Sequence, residues 1–157
     1  MLTVEERRDI EEEIRKAPTM KAAVIDVLKT VQKHRGWVPD EALEEAAALL
    51  GMTAAEVDSI ATFFSLIYRK PVGRHVILIC DGVSCWLVGY EDVKQRLMER
   101  LGIAPGETTG DGKFTLLPSA CLGVCEEAPA MMIDDRLYTK LTPDSVDEIL
   151  AGYRDDN

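Results

Sequence analysis

The spacing of apolar residues changes at Lys70-Pro71-Val72-Gly73, and this change constrains the chain to a fold in two parts. Before this segment, apolar side chains recur at helical spacing, which is typical of amphipathic helices. After it, short β-branched runs alternate with helical segments, which is typical of a sheet with helices packed on it. We therefore predict an α+β protein with two domains, an N-terminal helical bundle at residues 1–70 and an α/β domain at residues 71–157.

Four helices are predicted in the first domain. The clearest signal lies in residues 20–34, where one face carries Met20, Val24, Val27, Leu28 and Val31. The other three helices are predicted at residues 4–16, at residues 40–50 with Asp40 as the N-cap, and from Thr53 into Phe63-Phe64. The last of them begins with the capping-box pattern Thr53-Ala-Ala-Glu56.

The second domain is predicted to hold a small mixed sheet. Strands are expected at residues 75–80, 114–117, 130–133 and 137–139, a loop at residues 81–86, and helices at residues 90–101 and from Thr142-Pro143 onward. The order of these elements is β-α-β-β-β-α. Such an order favours a mixed sheet with helices packed against it.

Charge and composition exclude several classes of function. The chain has 157 residues and a formal net charge of −10, with 18 Lys plus Arg against 28 Asp plus Glu. This charge argues against nucleic acid and against an anionic membrane surface, because both are bound largely through Lys and Arg. No apolar run approaches the roughly 20 residues that span a bilayer, and no signal-peptide pattern is present. We therefore expect a cytoplasmic protein without direct membrane insertion.

All four cysteines lie in the second domain, in two pairs. Cys80 and Cys85 follow one predicted strand, and Cys121 and Cys125 follow the next, each pair in a loop that contains glycine. Disulfides need an oxidising compartment, and unrelated buried thiols rarely occur as two clustered pairs. Structural zinc usually has two residues between paired cysteines, whereas iron–sulfur clusters accept wider gaps. The spacing alone leaves all four alternatives open.

The residues around the cysteines resemble the thioredoxin-like 2Fe-2S ferredoxins, and within them the E-subunit family of bacterial NADH:quinone oxidoreductase, respiratory complex I. The most specific match is the Cys80-x4-Cys85 pair followed by the segment Cys121-Leu-Gly-Val-Cys-Glu-Glu-Ala-Pro129-Ala-Met-Met-Ile133. The family's helical-domain signatures are matched by His34-Arg-Gly-Trp-Val-Pro39 and Ala61-Thr-Phe-Phe64. The resemblance covers nearly the whole chain.

The resemblance implies that Cys80, Cys85, Cys121 and Cys125 bind one 2Fe-2S cluster in a thioredoxin-like domain at residues 71–157. It also implies an electron-transfer subunit of an oxidoreductase, without a catalytic side chain of its own. FMN and NADH would be bound by a partner flavoprotein, the F-type subunit, in a complex on the cytoplasmic face of the inner membrane. In agreement with this, the chain has neither a G-x-G-x-x-G nor a G-x4-G-K-S/T phosphate-binding pattern.

Two alternative functions follow from the same residues. One is the equivalent subunit of an NAD-dependent hydrogenase or formate dehydrogenase, and the other is a zinc-stabilised binding module. The geometry of the Ala128–Pro129 bond is also open, since trans is the default for X–Pro whereas thioredoxin-like folds often place a cis-proline at such a junction. The carboxylates beside the cysteines, Asp81, Glu126 and Glu127, are expected either to lower a reduction potential or to be ordinary solvated charges.

Overall fold

The computed structural model describes residues 1–153, and these residues form two compact units. The first unit is Met1–Pro71, and the second begins at Val72. The first is helical and the second contains a sheet with helices, so the mixed α+β fold class is confirmed.

The first unit consists of short helices with well-formed ends. Its helices are α1 (Val4–Lys16), a 3-10 turn (Met20–Ala23), α2 (Val24–Arg35), α3 (Asp40–Leu50) and α4 (Ala54–Phe63). Thr3 and Thr53 each form a complete capping box with the glutamate three residues later, which satisfies backbone N–H groups that a helix start leaves unpaired. Within residues 1–153 no single helix has the length and apolar character to cross a membrane, and only the bent pair α3 and α4, 113° apart, meets that test jointly.

The start of the second helix differs from the prediction. The sequence pattern places Met20 on the buried face, but Met20 lies in the 3-10 turn and is exposed. A 3-10 turn has about three residues per turn, so a side chain there does not stay in line with the apolar stripe of the α-helix that follows. Asp40 likewise is the first residue of α3, and Pro39 is the N-cap.

The apolar stripes of the helices meet in one core within the first unit. Ile10 of α1, Val27 and Val31 of α2, and Ala46 and Leu50 of α3 are fully buried in it. Burying a valine, leucine or isoleucine side chain stabilises a fold by about 1.5–3 kcal/mol, relative to leaving it exposed. The inner face predicted for residues 20–34 is therefore confirmed for Val24, Val27, Leu28 and Val31, but not for Met20.

The second unit contains a four-stranded mixed sheet. Its strands are β1 (His75–Cys80), β2 (Phe114–Ser119), β3 (Met131–Ile133) and β4 (Arg136–Tyr138). The order across the sheet is β2-β1-β3-β4; β1 and β2 are parallel, and the other neighbours are antiparallel. The remaining helices are α5 (Val83–Leu87), α6 (Tyr90–Leu101) and α7 (Pro143–Gly152).

Helices α6 and α7 supply the apolar partners of the sheet. Val93 and Leu97 of α6 and Val146 of α7 are fully buried in the same core as Ile77 of β1 and Leu116 of β2. This core fixes the parallel pair β1 and β2, whose carboxyl ends carry the cysteine loops.

Candidate metal centre

The parallel pairing of β1 and β2 brings both cysteine loops to one end of the sheet. Cys80 is the last residue of β1, and its register partner is Ser119, the last residue of β2. Cys121 follows Ser119 by two residues. The N–H of Asp81 donates to the carbonyl oxygen of Ser119 at 2.9 Å, which ties the two loops together where they leave the sheet.

The first loop forms a short helix, α5, where the sequence predicts an irregular segment. No glycine or proline interrupts residues 83–87, and the first turn closes when the Trp86 N–H donates to the Gly82 carbonyl at 2.9 Å. The helix turns Cys85 inward, so that Cys80 and Cys85 are both buried. Their side chains lie close enough that Cys80 acts on the pKa of Cys85.

The second loop holds its two cysteines at the surface. Cys121 and Cys125 are exposed, and their Sγ atoms lie 3.9 Å apart. Gly123 between them has φ of +81°, a left-handed conformation that glycine adopts without strain. Its N–H donates to Cys121 Sγ at 3.3 Å, so the turn places a backbone donor on the sulfur.

The two loops are neighbours in space. A 3-10 turn at Cys125–Glu127 contacts α5, and the charge of Cys125 acts on Cys85. The Ala128–Pro129 bond that follows is cis, which resolves the question left open by the sequence. All four predicted ligands therefore lie around one end of the sheet.

The sulfur atoms are grouped as two pairs. Two thiolates on one tetrahedral metal, with bonds of about 2.3 Å, lie about 3.8 Å apart. The Sγ–Sγ separation of Cys121 and Cys125 matches this value, and Cys80 and Cys85 form a second, buried pair whose side chains act on each other. Across residues 1–153, no three His, Cys, Asp or Glu side chains are already gathered around a single metal position. Two pairs of thiols fit a two-iron cluster, in which each metal takes two protein ligands.

The environment of Cys85 favours the neutral thiol until a metal binds. Burial, and then the hydrogen bond with Cys80, raise the pKa of Cys85 to about 11, although a hydrogen bond from the Ala130 N–H acts in the opposite direction. A bound metal cation deprotonates its thiol ligands outright. Loading the site should therefore release protons, and the Ala130 N–H is placed to donate to the resulting thiolate.

The three neighbouring carboxylates do not share one environment. Glu127 accepts a hydrogen bond from Thr139 Oγ1 at 2.9 Å and forms an ion pair with Lys140 at 3.5 Å. Asp81 and Glu126 are exposed and form no ion pair with any residue from 1 to 153. The charge of Glu127 is thus partly balanced, whereas those of Asp81 and Glu126 remain open to solvent or to a partner.

Gly82 is required because the two loops approach closely at this position. A Cβ atom added there would lie 3.0 Å from the Ala120 carbonyl oxygen and 3.6 Å from Cys80 Sγ. We expect Gly82→Ala to push the loops apart, to destabilise the second unit by about 1–3 kcal/mol and to lower the metal content of the purified chain. Iron analysis and thermal unfolding measure the two effects.

Gly110→Ala is the matched control for Gly82→Ala. Gly110 has open space around it within 4 Å and no left-handed φ, so the added methyl group should be tolerated. Equal iron content in the wild-type chain and both variants would contradict the role given to Gly82.

Comparisons with known proteins agree with this site. The family model for the thioredoxin-like [2Fe-2S] ferredoxin matches residues 10–154. The E subunit of NADH-quinone oxidoreductase from Escherichia coli strain K12 is 48% identical over 153 residues, which cover 98% of this chain and 92% of that protein. The corresponding protein from Pseudomonas aeruginosa is 47% identical over the same coverage.

A solved structure shows the same fold at lower sequence identity. The structure is the NAD+-reducing [NiFe]-hydrogenase in the H2-reduced state, in which one chain superposes with a TM-score of 0.70 at 23% identity. The match covers 83% of this chain and 22% of the hydrogenase chain. Together with the family match, it confirms the predicted thioredoxin-like fold.

Proposed function

Because the chain belongs to the thioredoxin-like [2Fe-2S] ferredoxin family, we propose that it is the electron-transfer subunit of a bacterial NADH:quinone oxidoreductase. The observation that carries the proposal is the similarity to proteins of the E-subunit type, which extends over nearly the full length of both chains. The geometry supports it through four cysteines at one end of the sheet and the absence of a G-x-G-x-x-G pattern for a nucleotide.

In this proposal, the four cysteines hold one 2Fe-2S cluster in two pairs. Cys80 and Cys85 bind one iron from the buried side, and Cys121 and Cys125 bind the other iron from the exposed side. Such a cluster takes up or releases one electron at a time. The backbone N–H groups of Gly123 and Ala130 donate to ligand sulfur atoms, and hydrogen bonds to sulfur are one of the factors that set a cluster's potential.

In this proposal, the chain and its flavoprotein partner have different functions. The chain binds the cluster with residues of its second domain, 71–157. We propose that its first domain, 1–70, contributes to the assembly of the chain with the other subunits of the complex. The hydride chemistry belongs to a flavoprotein partner of the F-subunit type, which binds FMN and NADH. The pair would lie in the peripheral arm of the complex, on the cytoplasmic face of the inner membrane.

The test begins with the purified full-length chain. We expect a coloured protein with about two iron and two sulfide per chain and, after reduction, the EPR signal of a reduced 2Fe-2S cluster. When the FMN-loaded partner is added, NADH should reduce this cluster, and without the partner it should not. A colourless chain that contains about one zinc would instead establish the zinc-stabilised module.

Isolation of the native complex separates the remaining alternative. Co-purification with a quinone-reducing membrane assembly supports the proposed function, whereas co-purification with a hydrogenase or a formate dehydrogenase establishes the equivalent subunit of those enzymes. The cluster of this chain would give the same absorption spectrum in any of these enzymes. The identity of the co-purified proteins therefore distinguishes the alternatives.

A further inference from the structure

The short helix that carries Cys85 has an apolar outer surface. Val83, Trp86, Leu87 and Val88 are exposed to 76%, 61%, 69% and 55%, although all four are large hydrophobic residues. They surround Cys85, which is 2% exposed. We name these four residues the α5 patch.

An exposed patch of this kind points to a binding surface. Single apolar residues at a surface are common, but contiguous apolar patches mark interaction sites. Tryptophan is also among the residues that contribute most to binding when they enter a pocket of a partner. The core of the second unit is already filled by other side chains of the sheet, α6 and α7, so the α5 patch has no part in it.

Acidic residues flank the α5 patch. Asp81 lies two residues before Val83, Asp92 lies in the first turn of the next helix, and Glu126 lies in the 3-10 turn that contacts α5. All three are exposed, and none forms an ion pair with a residue in the described part of the chain. An apolar centre with a charged rim is the usual composition of an interface between proteins that also exist apart.

We propose that the α5 patch is the docking surface for the electron-donating flavoprotein, which would present an apolar pocket for Trp86 with Lys or Arg around it. This inference rests on the proposed function. Electron transfer slows steeply with distance, so the donor must approach the cluster ligands closely. The patch meets this need because it forms the outer surface of the helix whose inner side carries Cys85.

The acidic residues around the α5 patch favour a basic protein partner over a second copy of the chain or an anionic membrane. A symmetric contact between two copies of the chain would place Asp81 and Glu126 of each copy near the same residues of the other, and such like-charge contacts are unfavourable. An anionic membrane surface would be repelled for the same reason. A partner with a basic rim instead gains attraction at long range, which speeds association.

The test uses the full-length, cluster-loaded chain and the FMN-loaded flavoprotein subunit of the same organism. We expect Trp86→Ser to raise the Kd for the flavoprotein by at least about tenfold, and Leu87→Ser to raise it by less. Visible absorption and the unfolding midpoint should be unchanged, because both side chains are exposed. Leu137→Ser is the matched control, since Leu137 is an exposed apolar residue of the same unit on strand β4 and should leave the Kd unchanged.

Salt dependence tests the acidic rim separately. The association rate constant of the wild-type chain should fall as NaCl increases, and the double variant Asp81→Asn/Glu126→Gln should show a slower rate and a weaker dependence on salt. A double variant with the wild-type rate and salt dependence would overturn the role of the rim.

The remaining outcomes distinguish this inference from the function on which it rests. If the wild-type chain lacks iron or does not bind the flavoprotein, the proposed function fails. If the wild-type chain binds and Trp86→Ser binds equally well, the docking surface alone is overturned. A wild-type dimer, or binding to anionic vesicles, that Trp86→Ser abolishes would assign the patch to a second copy or to lipid and would also overturn the inference.

Discussion

Cys85→Ser and Cys121→Ser variants of the full-length chain should each lose the visible absorption of the cluster, or show it strongly altered, with iron well below about two per chain. A serine hydroxyl gives up its proton far less readily than a thiol, and it is a harder and poorer ligand for an iron–sulfur core. The measurement is the absorption spectrum of the purified protein together with its iron and sulfide content. Ser84→Ala is the control. Ser84 lies on the same short helix, next to Cys85, but is not a proposed ligand, so this variant should keep the wild-type spectrum.

The two cysteine positions separate the loss of a ligand from the loss of the fold. Cys85 is buried, so Cys85→Ser places a hydroxyl group where it has little access to water, and some loss of stability is expected. Cys121 is exposed, so Cys121→Ser should leave the unfolding midpoint of the metal-free chain unchanged. An unaltered spectrum and iron content in Cys121→Ser would therefore exclude Cys121 as a ligand, with no ambiguity about folding.

The sequence predicts those parts of the fold that depend on local patterns. Helix α6 has the predicted bounds, and α3 ends at Leu50 as expected, with Gly51 as its C-cap, because apolar spacing and a terminal glycine act within one helix. The register that places Cys80 opposite Ser119 is not visible in the same way, because a parallel pair is formed by strands far apart in the chain. The sequence could say only that both cysteine loops follow strands.

The backbone donors to sulfur and helix α5 could not be predicted from the sequence, for a different reason. The N–H groups of Gly123 and Ala130 that donate to sulfur are backbone groups, which every residue except proline possesses. No residue type marks them. The sequence predicts a loop in place of helix α5 because five residues are too few to show a periodic pattern. In addition, the apolar side chains of this helix are exposed, whereas an amphipathic helix normally buries them.

Glu6→Gln should destabilise the helical unit by about 1.5–3 kcal/mol at neutral pH, the range for hydrogen bonds to a charged group. Glu6 lies on α1, is 3% exposed, and its carboxylate accepts hydrogen bonds from Arg35 Nη2 at 2.9 Å and from the Thr3 N–H at 2.7 Å. The substitution leaves the Arg35 guanidinium, which is 21% exposed, with only its longer ion pair to the exposed Glu41 at 3.4 Å. Breaking one side of a buried ion pair is costly because the other charge stays behind.

The same ion pair makes stability depend on pH. The Arg35 hydrogen bond, followed by the Thr3 N–H, lowers the pKa of Glu6 from 4.5 to about 2, against the opposing effect of burial. A carboxylate whose pKa is lower in the folded than in the unfolded chain stabilises the fold above its unfolded pKa, and this contribution disappears as the pH falls through the folded value. At most about 3 kcal/mol should therefore be lost from the wild type between pH 4.5 and pH 2.

Urea unfolding followed by Trp37 fluorescence measures this loss in the helical unit. The chain has two tryptophans, so a Trp86→Phe background leaves Trp37 as the reporter in the first unit. The difference in free energy of unfolding between wild type and Glu6→Gln should be large at pH 7 and should shrink towards pH 2, because protonation removes from the wild type the charge that the variant lacks. Glu5→Gln, at an exposed position one residue earlier, should show no such trend. A difference that stays constant from pH 7 to pH 2 would mean that the fold depends on the shape of the Glu6 side chain, and that its charge contributes nothing to the stability of the bundle.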